Sequence, residues 1–209
     1  MNLIMELAEK YELQVLEDVS PAFKREYKGR KLGTIDHGRA FVFFPSKNLG
    51  VYGEGGLIAT NDDQVAEAAR MSRAHGGKNY NEMLGYNLRL DALQAAILQV
   101  KLSHIDEWNE ARRKVARTYN ELLKDGSGVV TLYEVPYARH VYHQYVIMRI
   151  QNERHDEVQR RLAEAGIGAT RYLGIGCLYM KRVQIGTCAK VEQAVKEVLS
   201  LWNTCTHLA

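Results

Sequence analysis

Lys47 is the residue of this chain whose type and setting are best suited to covalent chemistry. It follows the apolar run 40–44 and Pro45, and the glycine-rich segment 53–56 comes shortly after it. A lysine amine that is partly desolvated near other positive charge loses its proton more easily and can attack a carbonyl carbon to form a Schiff base. Taken alone, the spacing favours a solvated loop lysine, since lysines are mostly exposed.

Asp18 is the second candidate, at the end of a predicted strand over residues 13–17. Ligands of parallel α/β sheets bind beyond the carboxyl ends of the strands, and a carboxylate there can keep a pyridine nitrogen protonated. A helix cap or a surface turn is the alternative for Asp18. The segment 53–56 (Gly-Glu-Gly-Gly) fits a phosphate cradle and a tight hairpin turn equally well.

The elements that must position these two residues alternate between helix and strand. Apolar spacing and breakers predict helices over 3–11, from 61 to 73, over 89–124 with a bend at Ser103-His104, over 156–165 and over 191–201. They predict strands over 13–17, 40–44, 57–60 and 142–150. The pattern is typical of an α/β protein with two units, and we predict domains at 1–104 and 105–209.

Composition narrows the function classes. The chain has 209 residues, 46% of them hydrophobic, and a formal charge of +3 that is spread along the sequence. This is ordinary globular composition and gives no basic stripe for nucleic acid. Three cysteines without a CxxC pair, and no apolar run long enough to span a membrane, favour a cytoplasmic protein.

Two other chemistries are disfavoured by spacing. His140, His143 and His155 have no carboxylate at ligand spacing, so we predict no metal site. The chain also has no GxSxG nucleophile motif, which argues against a serine hydrolase.

Several motifs, in order along the chain, resemble the DegT/StrS family of sugar-nucleotide aminotransferases, which depend on pyridoxal 5'-phosphate (PLP). They are Leu-Glu-Asp at 16–18, Phe-Val-Phe-Phe-Pro-Ser-Lys-Asn-Leu-Gly at 41–50, Gly-Glu-Gly-Gly at 53–56, Arg-Ala-His-Gly at 73–76, Gly-Tyr-Asn-Leu-Arg-Leu-Asp-Ala-Leu-Gln-Ala-Ala at 85–96, Tyr-His-Gln-Tyr at 142–145 and Gly-Ile-Gly at 166–168. The segment 85–96 is the most specific of them.

The resemblance implies a fold, a cofactor and residue roles. The fold would be the C-terminal part of the large domain of an aspartate-aminotransferase-type (fold type I) enzyme, followed by its small domain. Lys47 would bind the PLP aldehyde, Asp18 would pair with its pyridine nitrogen, and Asn87 would reach the cofactor phosphate across a homodimer interface, with Arg89 nearby. The implied reaction moves an amino group from glutamate to a keto sugar on a nucleotide.

Some positions depart from the family pattern. Pro21 stands where a glutamine is usual, Val42 where a serine binds the phosphate, and Arg-Tyr-Leu at 171–173 where His-Tyr-Pro is common. The resemblance covers only the C-terminal part of the family, so we expect its N-terminal half to be absent from this chain. An impaired relative that serves as a dimerisation or interaction module is the alternative function.

Overall fold

The computed structural model describes residues 1–20, 23–34, 37–77, 83–126, 128–150, 155–170 and 197–201. The chain divides into two compact units, Met1–Asn109 with Val135–Val141, and Glu110–Glu134 with Tyr142–Ala209. The correspondence of these units to predicted domains at 1–104 and 105–209 stays a prediction.

Fifteen elements are described. In chain order they are α1 (Asn2–Lys10), β1 (Leu16–Asp18), β2 (Glu26–Tyr27), β3 (Arg30–Lys31), β4 (Gly38–Val42), β5 (Gly56–Thr60), α2 (Asp63–Ser72), α3 (Ala92–Leu102), α4 (Ile105–Leu123), β6 (Val129–Thr131), β7 (Ala138–Arg139), β8 (Tyr145–Ile150), α5 (His155–Glu164), β9 (Ala169–Thr170) and β10 (Leu199–Leu201).

The first unit contains a three-stranded sheet with the order β1-β4-β5. β1 and β4 are parallel, with Leu16 opposite Gly38 and Asp18 opposite Ala40. β5 runs antiparallel to β4, from the pair Gly38–Thr60 to the pair Val42–Gly56. A separate small sheet has the order β3-β2-β7.

Short polar residues start the helices that follow this sheet. The Asp62 carboxylate accepts backbone N–H bonds at the start of α2, and the Asp91 carboxylate does the same at the start of α3. Such side chains satisfy N–H groups that have no partner within the helix. The predicted bend at Ser103-His104 is present as the break between α3 and α4.

An apolar cluster forms the core of the first unit. Its buried members are Phe43, Leu49, Val51 and Ile105, and Phe23, Phe41, Leu98 and Trp108 pack against them. Phe43, Leu49 and Val51 flank the predicted reactive lysine on both sides in sequence. Burial of these side chains therefore holds the two ends of the segment that contains Lys47.

The second unit contains a four-stranded sheet with the order β6-β8-β10-β9. Its buried core consists of Ala116, Tyr142, Tyr145, Ile147, Leu199 and Leu201, and residues of α4 and α5 pack against it. On α4 the buried positions Ile105, Asn109, Arg112 and Ala116 recur at helical spacing, so one face of this helix is buried along its length.

The prediction of a last helix over 191–201 is wrong at its end. Leu199–Leu201 is a strand, antiparallel to both β8 and β9, and all three of its residues are buried. Residues 191–196 lie outside the described residues. Successive side chains of a strand point to opposite faces, so three buried residues in a row mean that both faces are covered here and that the apolar–polar alternation of a half-exposed strand is missing.

The Tyr145 phenol lies in the core of the second unit and is 0% exposed. Burial raises the pKa of Tyr145 from 10.0 to about 12, and neighbouring Tyr142 and Tyr119 add to the rise. Its hydroxyl donates a hydrogen bond to Asn120 Oδ1 at 2.6 Å.

We expect the free energy of unfolding to fall as the pH rises from about 10 to about 12. The unfolded chain loses the Tyr145 proton at its ordinary pKa of 10.0, whereas the folded chain keeps it up to about 12. Urea titrations across this range should show the loss, and the variant Tyr145→Phe should show less of it. If Tyr145→Phe loses as much of its free energy of unfolding over this pH range, other groups cause the loss.

Candidate functional site

The parallel pairing of β1 and β4 brings the predicted acid and lysine to one edge of the sheet. Asp18 ends β1 opposite Ala40, and the next residue, Val19, donates its N–H to Ala40 O at 2.9 Å. Val19 is 1% exposed, whereas the Asp18 side chain is exposed. The chain is thus anchored directly after Asp18, and the carboxylate stays open to a ligand.

Two hydrogen bonds from Ser20 hold the Asp18 carboxylate. The Ser20 hydroxyl donates to Asp18 Oδ1, and the Ser20 backbone N–H donates to the same oxygen at 3.0 Å. These bonds, with the hydroxyl bond first, lower the pKa of Asp18 from 3.8, and the positive charge of Lys47 lowers it further. Partial burial opposes them without reversing the direction. Asp18 is therefore ionised at neutral pH, within electrostatic reach of Lys47.

Lys47 lies on a tight loop between β4 and β5. The Lys47 N–H donates to Phe44 O at 2.9 Å, and the Val51 N–H closes the loop by donating to Phe43 O at 2.8 Å. A Cβ atom on Gly50 would lie 2.6 Å from Phe44 O and 2.8 Å from Pro45 O. Only glycine allows this approach, so the Lys-Asn-Leu-Gly sequence sets the path of the loop.

Side chains of α3 hold the end of the lysine loop and the residue after it. Lys101 Nζ donates to Gly50 O at 2.8 Å and lies 4.1 Å from the centre of the Tyr52 ring. Gln94 Oε1 accepts the Tyr52 N–H at 2.9 Å. These contacts connect the lysine loop to a helix and limit its motion.

The glycine-rich segment 53–56 fits the hairpin alternative. Gly56 is the first residue of β5 and pairs with Val42, and Gly55 O accepts the Phe43 N–H at 2.8 Å. The segment thus leads the chain into an antiparallel strand pair. Val42, at the position where the resemblance implies a phosphate-binding serine, ends β4 and is 40% exposed.

Asn87 and Arg89 lie on a different segment from Asp18 and Lys47. Asn87 forms a β-bridge with Ala74, and the Leu88 N–H donates to Arg73 O at 3.0 Å. Both of these predicted cofactor-binding residues are exposed. The hydrogen bonds and ion pairs found in the described part of the chain link neither of them to Asp18 or Lys47, so the acid–lysine pair is the part of the predicted site that this chain brings together. Pro21 and residues 171–173 lie outside the described residues.

Close backbone contact holds the segment that carries Asn87. A Cβ atom on Gly76 would lie 1.8 Å from Met83 O, and one on Gly85 would lie 1.9 Å from Gly76 N. Gly76 also has a φ of +88°, which side chains disfavour. The glycines of the family motifs at 73–76 and 85–96 are therefore required where the two segments meet.

Sequence reasoning missed two contributors to the site. Ser20 lies two residues after Asp18, and a serine and an aspartate at this spacing often hydrogen-bond to each other in a turn. The sequence therefore contained a signal for this contact. Asn109 donates to and accepts from groups near the lysine loop, but it lies 61 residues from Asn48 and gave no local signal.

A family model decides the relationship of this chain to known proteins. The model of the DegT/DnrJ/EryC1/StrS aminotransferase family matches residues 1–206. The chain belongs to this family. The resemblance inferred from the motifs is thereby confirmed.

Two curated relatives are similar over almost the whole chain. The pleiotropic regulatory protein of Geobacillus stearothermophilus is 43% identical over 96% of this chain and 56% of its own length. The dTDP-3-amino-3,4,6-trideoxy-alpha-D-glucose transaminase of Streptomyces venezuelae is 37% identical over 96% of this chain and 54% of its own length. The chain therefore spans about half the length of the curated relatives that it matches.

A solved structure confirms the predicted fold class. DesV of S. venezuelae, determined in complex with a ketimine intermediate, matches with a TM-score of 0.88 and 34% identity. The match covers 96% of this chain and 55% of DesV. The chain has the α/β fold of part of a fold type I, PLP-dependent sugar aminotransferase. Among the described residues, no helix is both long enough and apolar enough to cross a membrane.

Replacing Ser20 with alanine should raise the pKa of Asp18 towards its ordinary value, because the hydroxyl bond is the largest influence that lowers it. The stability from this bond is present above the unfolded pKa of 3.8 and is lost as the pH falls through the lower folded pKa. NMR titration of the Asp18 carboxyl carbon checks the shift. Ser20→Thr, which keeps a hydroxyl, is the control, and an unchanged pKa in Ser20→Ala would contradict the assignment.

Proposed function

We propose that this chain carries the acid and lysine of a PLP-dependent aminotransferase that acts on a nucleotide-linked keto sugar, with glutamate as amino donor. The observation that supports it most directly is the ionised Asp18 within electrostatic reach of Lys47, at the carboxyl ends of two parallel strands. The name of the S. venezuelae relative, a transaminase of a dTDP-linked sugar, supports the substrate class.

The chemistry of these side chains fits PLP. The cofactor has an aldehyde that a lysine amine can bind and a pyridine nitrogen that a carboxylate can keep protonated. Asp18 is held ionised by its two Ser20 bonds, and Lys47 is half-buried on a fixed loop. When bound, PLP supplies a protonated ring that accepts electron density from the substrate carbon.

Lys47 has two roles in this proposal. Its Nζ atom holds the cofactor through the aldehyde carbon until an amino substrate displaces it. The freed Nζ then takes the proton from the substrate carbon and returns it to the neighbouring position, as a general base and acid. Both roles would need an amine that is held in one place, and the loop closed from Phe43 to Val51 restricts the backbone that carries it.

Asp18 would supply the negative charge that pairs with the ring nitrogen. Because Ser20 lowers its pKa, the carboxylate would leave the proton on that nitrogen rather than take it. A charge that is already oriented before substrate binds needs no reorganisation during the proton transfers.

The remaining parts of the proposal concern partners. We assign Asn87 to the cofactor phosphate of a second subunit, with Arg89 of the same segment as a further cofactor-binding residue, which makes the enzyme a homodimer and accounts for the exposure of both side chains in one chain. Domains at 1–104 and 105–209 would be part of the PLP-binding domain and the small domain. Three cysteines without a pairing pattern support a place in the cytoplasm.

An interaction or dimerisation module is the second candidate function. It is favoured by large apolar side chains on helix surfaces, with Leu3 74%, Leu93 67% and Val100 66% exposed. The name of the G. stearothermophilus relative describes regulation and states no reaction. This candidate would be supported if light scattering showed a dimer and PLP formed no adduct at Lys47.

Incubation with PLP followed by borohydride should attach the cofactor to Lys47, as read by peptide mass spectrometry. Lys47→Arg should abolish this adduct, while Lys31→Arg, at an exposed lysine of β3, should leave it unchanged. Asp18→Asn should weaken PLP binding by about 2 kcal/mol, roughly thirtyfold, because a charge-assisted hydrogen bond is lost. Labelling spread over surface lysines would overturn the proposal.

A further inference from the structure

A buried pair of asparagine side chains adjoins the proposed catalytic lysine. Asn48 follows Lys47 in the chain and is 2% exposed, and Asn109 of α4 is 1% exposed. Asn48 Nδ2 donates to Asn109 Oδ1 at 2.9 Å and lies 3.5 Å from Val141 O. Asn109 Nδ2 donates in turn to Phe23 O at 3.4 Å. The pair therefore connects the lysine loop to α4 and to two backbone carbonyls.

Two buried apolar residues lie close to this amide pair: Leu49 follows Asn48, and Ile105 precedes Asn109 by one turn of α4. Leu49 is 4% exposed and Ile105 is 0% exposed, and both belong to the core cluster of the first unit. A buried amide that loses its partner in such a setting pays the full cost of desolvation. The hydrogen bond between Asn48 and Asn109 consequently favours one position of the loop. In a shifted position, a buried side-chain amide would lack a hydrogen-bond partner.

The geometry points to Asn109 as a positioning residue for Lys47, acting through Asn48. The inference rests on the proposed function of Lys47. Lys101 holds the loop at Gly50, and Asn109 holds it at Asn48 from a different helix. With both attachments in place, the backbone at Lys47 is held, and the direction in which its Cα–Cβ bond leaves the loop is held with it.

An apolar pair of similar branching would fill the space without specifying this position. Leucines at both sites would remove both side-chain amides, so neither amide would be left buried without the other, although Phe23 O and Val141 O would lose their contacts with the pair. A purely structural role therefore predicts that a double leucine variant regains normal behaviour. A positioning role predicts that it regains stability but not the placement of Lys47.

The experiment compares the full chain with Asn109→Leu, the double variant Asn48→Leu/Asn109→Leu, and Asn120→Leu. Asn120→Leu is the matched control, since it removes a hydrogen bond between α4 and Tyr145 in the second unit. Three quantities are measured: the melting temperature, the rate of borohydride-trapped PLP adduct at Lys47, and the pKa of Asp18 by NMR. The last needs no cofactor and responds to the distance of the Lys47 charge.

We expect Asn109→Leu and the double variant to slow the adduct about five- to tenfold, the effect of one lost buried hydrogen bond on the population of the fixed loop. Both should also shift the pKa of Asp18 upward. The double variant should recover melting temperature, so it serves as the test if Asn109→Leu does not fold. Asn120→Leu should lower the melting temperature without changing the adduct rate or the pKa.

The contrary outcomes separate this inference from the proposed function. Normal adduct rate and Asp18 pKa in both leucine variants, or their recovery together with stability in the double variant, would overturn the positioning role and leave Lys47 as the reactive lysine. If the unaltered chain forms no adduct, the proposed function fails. The Asp18 pKa then decides alone: an upward shift in the leucine variants supports positioning of Lys47 by Asn109, and no shift overturns it.

Discussion

The parallel pairing of β1 with β4 is the constraint on which the candidate site depends. It aligns Asp18 with Ala40, so that the acid and the loop after β4 leave the sheet at the same edge. Any shift of this register by one residue would reverse the faces of β1 and turn Asp18 away from the lysine loop. The backbone hydrogen bond from Val19 to Ala40 extends the pairing one residue beyond the acid.

The lysine loop is fixed by contacts of three different kinds. Gly50 lies against the carbonyls of Phe44 and Pro45, which is a steric requirement of the chain itself. Lys101 and Asn109 add polar contacts from two helices, and the apolar cluster around Val51 and Ile105 buries both ends of the loop. A reactive amine that must act on two atoms of a cofactor benefits from such restriction, since misplacement by about 1 Å can cost ~100-fold in rate.

Membership of the aminotransferase family and the open surfaces of this chain are consistent with one another. Relatives are nearly twice as long as the region they share with this chain, and several large apolar side chains of α1 and α3 are exposed in it. Exposed apolar area of this kind is typical of interaction surfaces. The proposed function therefore concerns the part of a site that this chain carries, the acid, the lysine and the elements that align them.

The sequence by itself determined the local features of this protein. Glycines, prolines and capping aspartates mark element ends within short windows, so the helices that start after Asp62 and Asp91 and the break at Ser103-His104 could be located from the sequence. The order of the family motifs predicted the fold class, which the solved relative confirms, and it also predicted the acid–lysine pair. The tertiary structure decided the features that depend on distant partners. Leu199–Leu201 is a strand because β8 and β9 lie on either side of it, and Asn109 meets Asn48 only when α4 packs against the loop. The periodicity of a sequence shows which face of one element is apolar. It does not show which residue of another element will lie opposite that face, and hydrogen bonds between buried groups depend on this pairing.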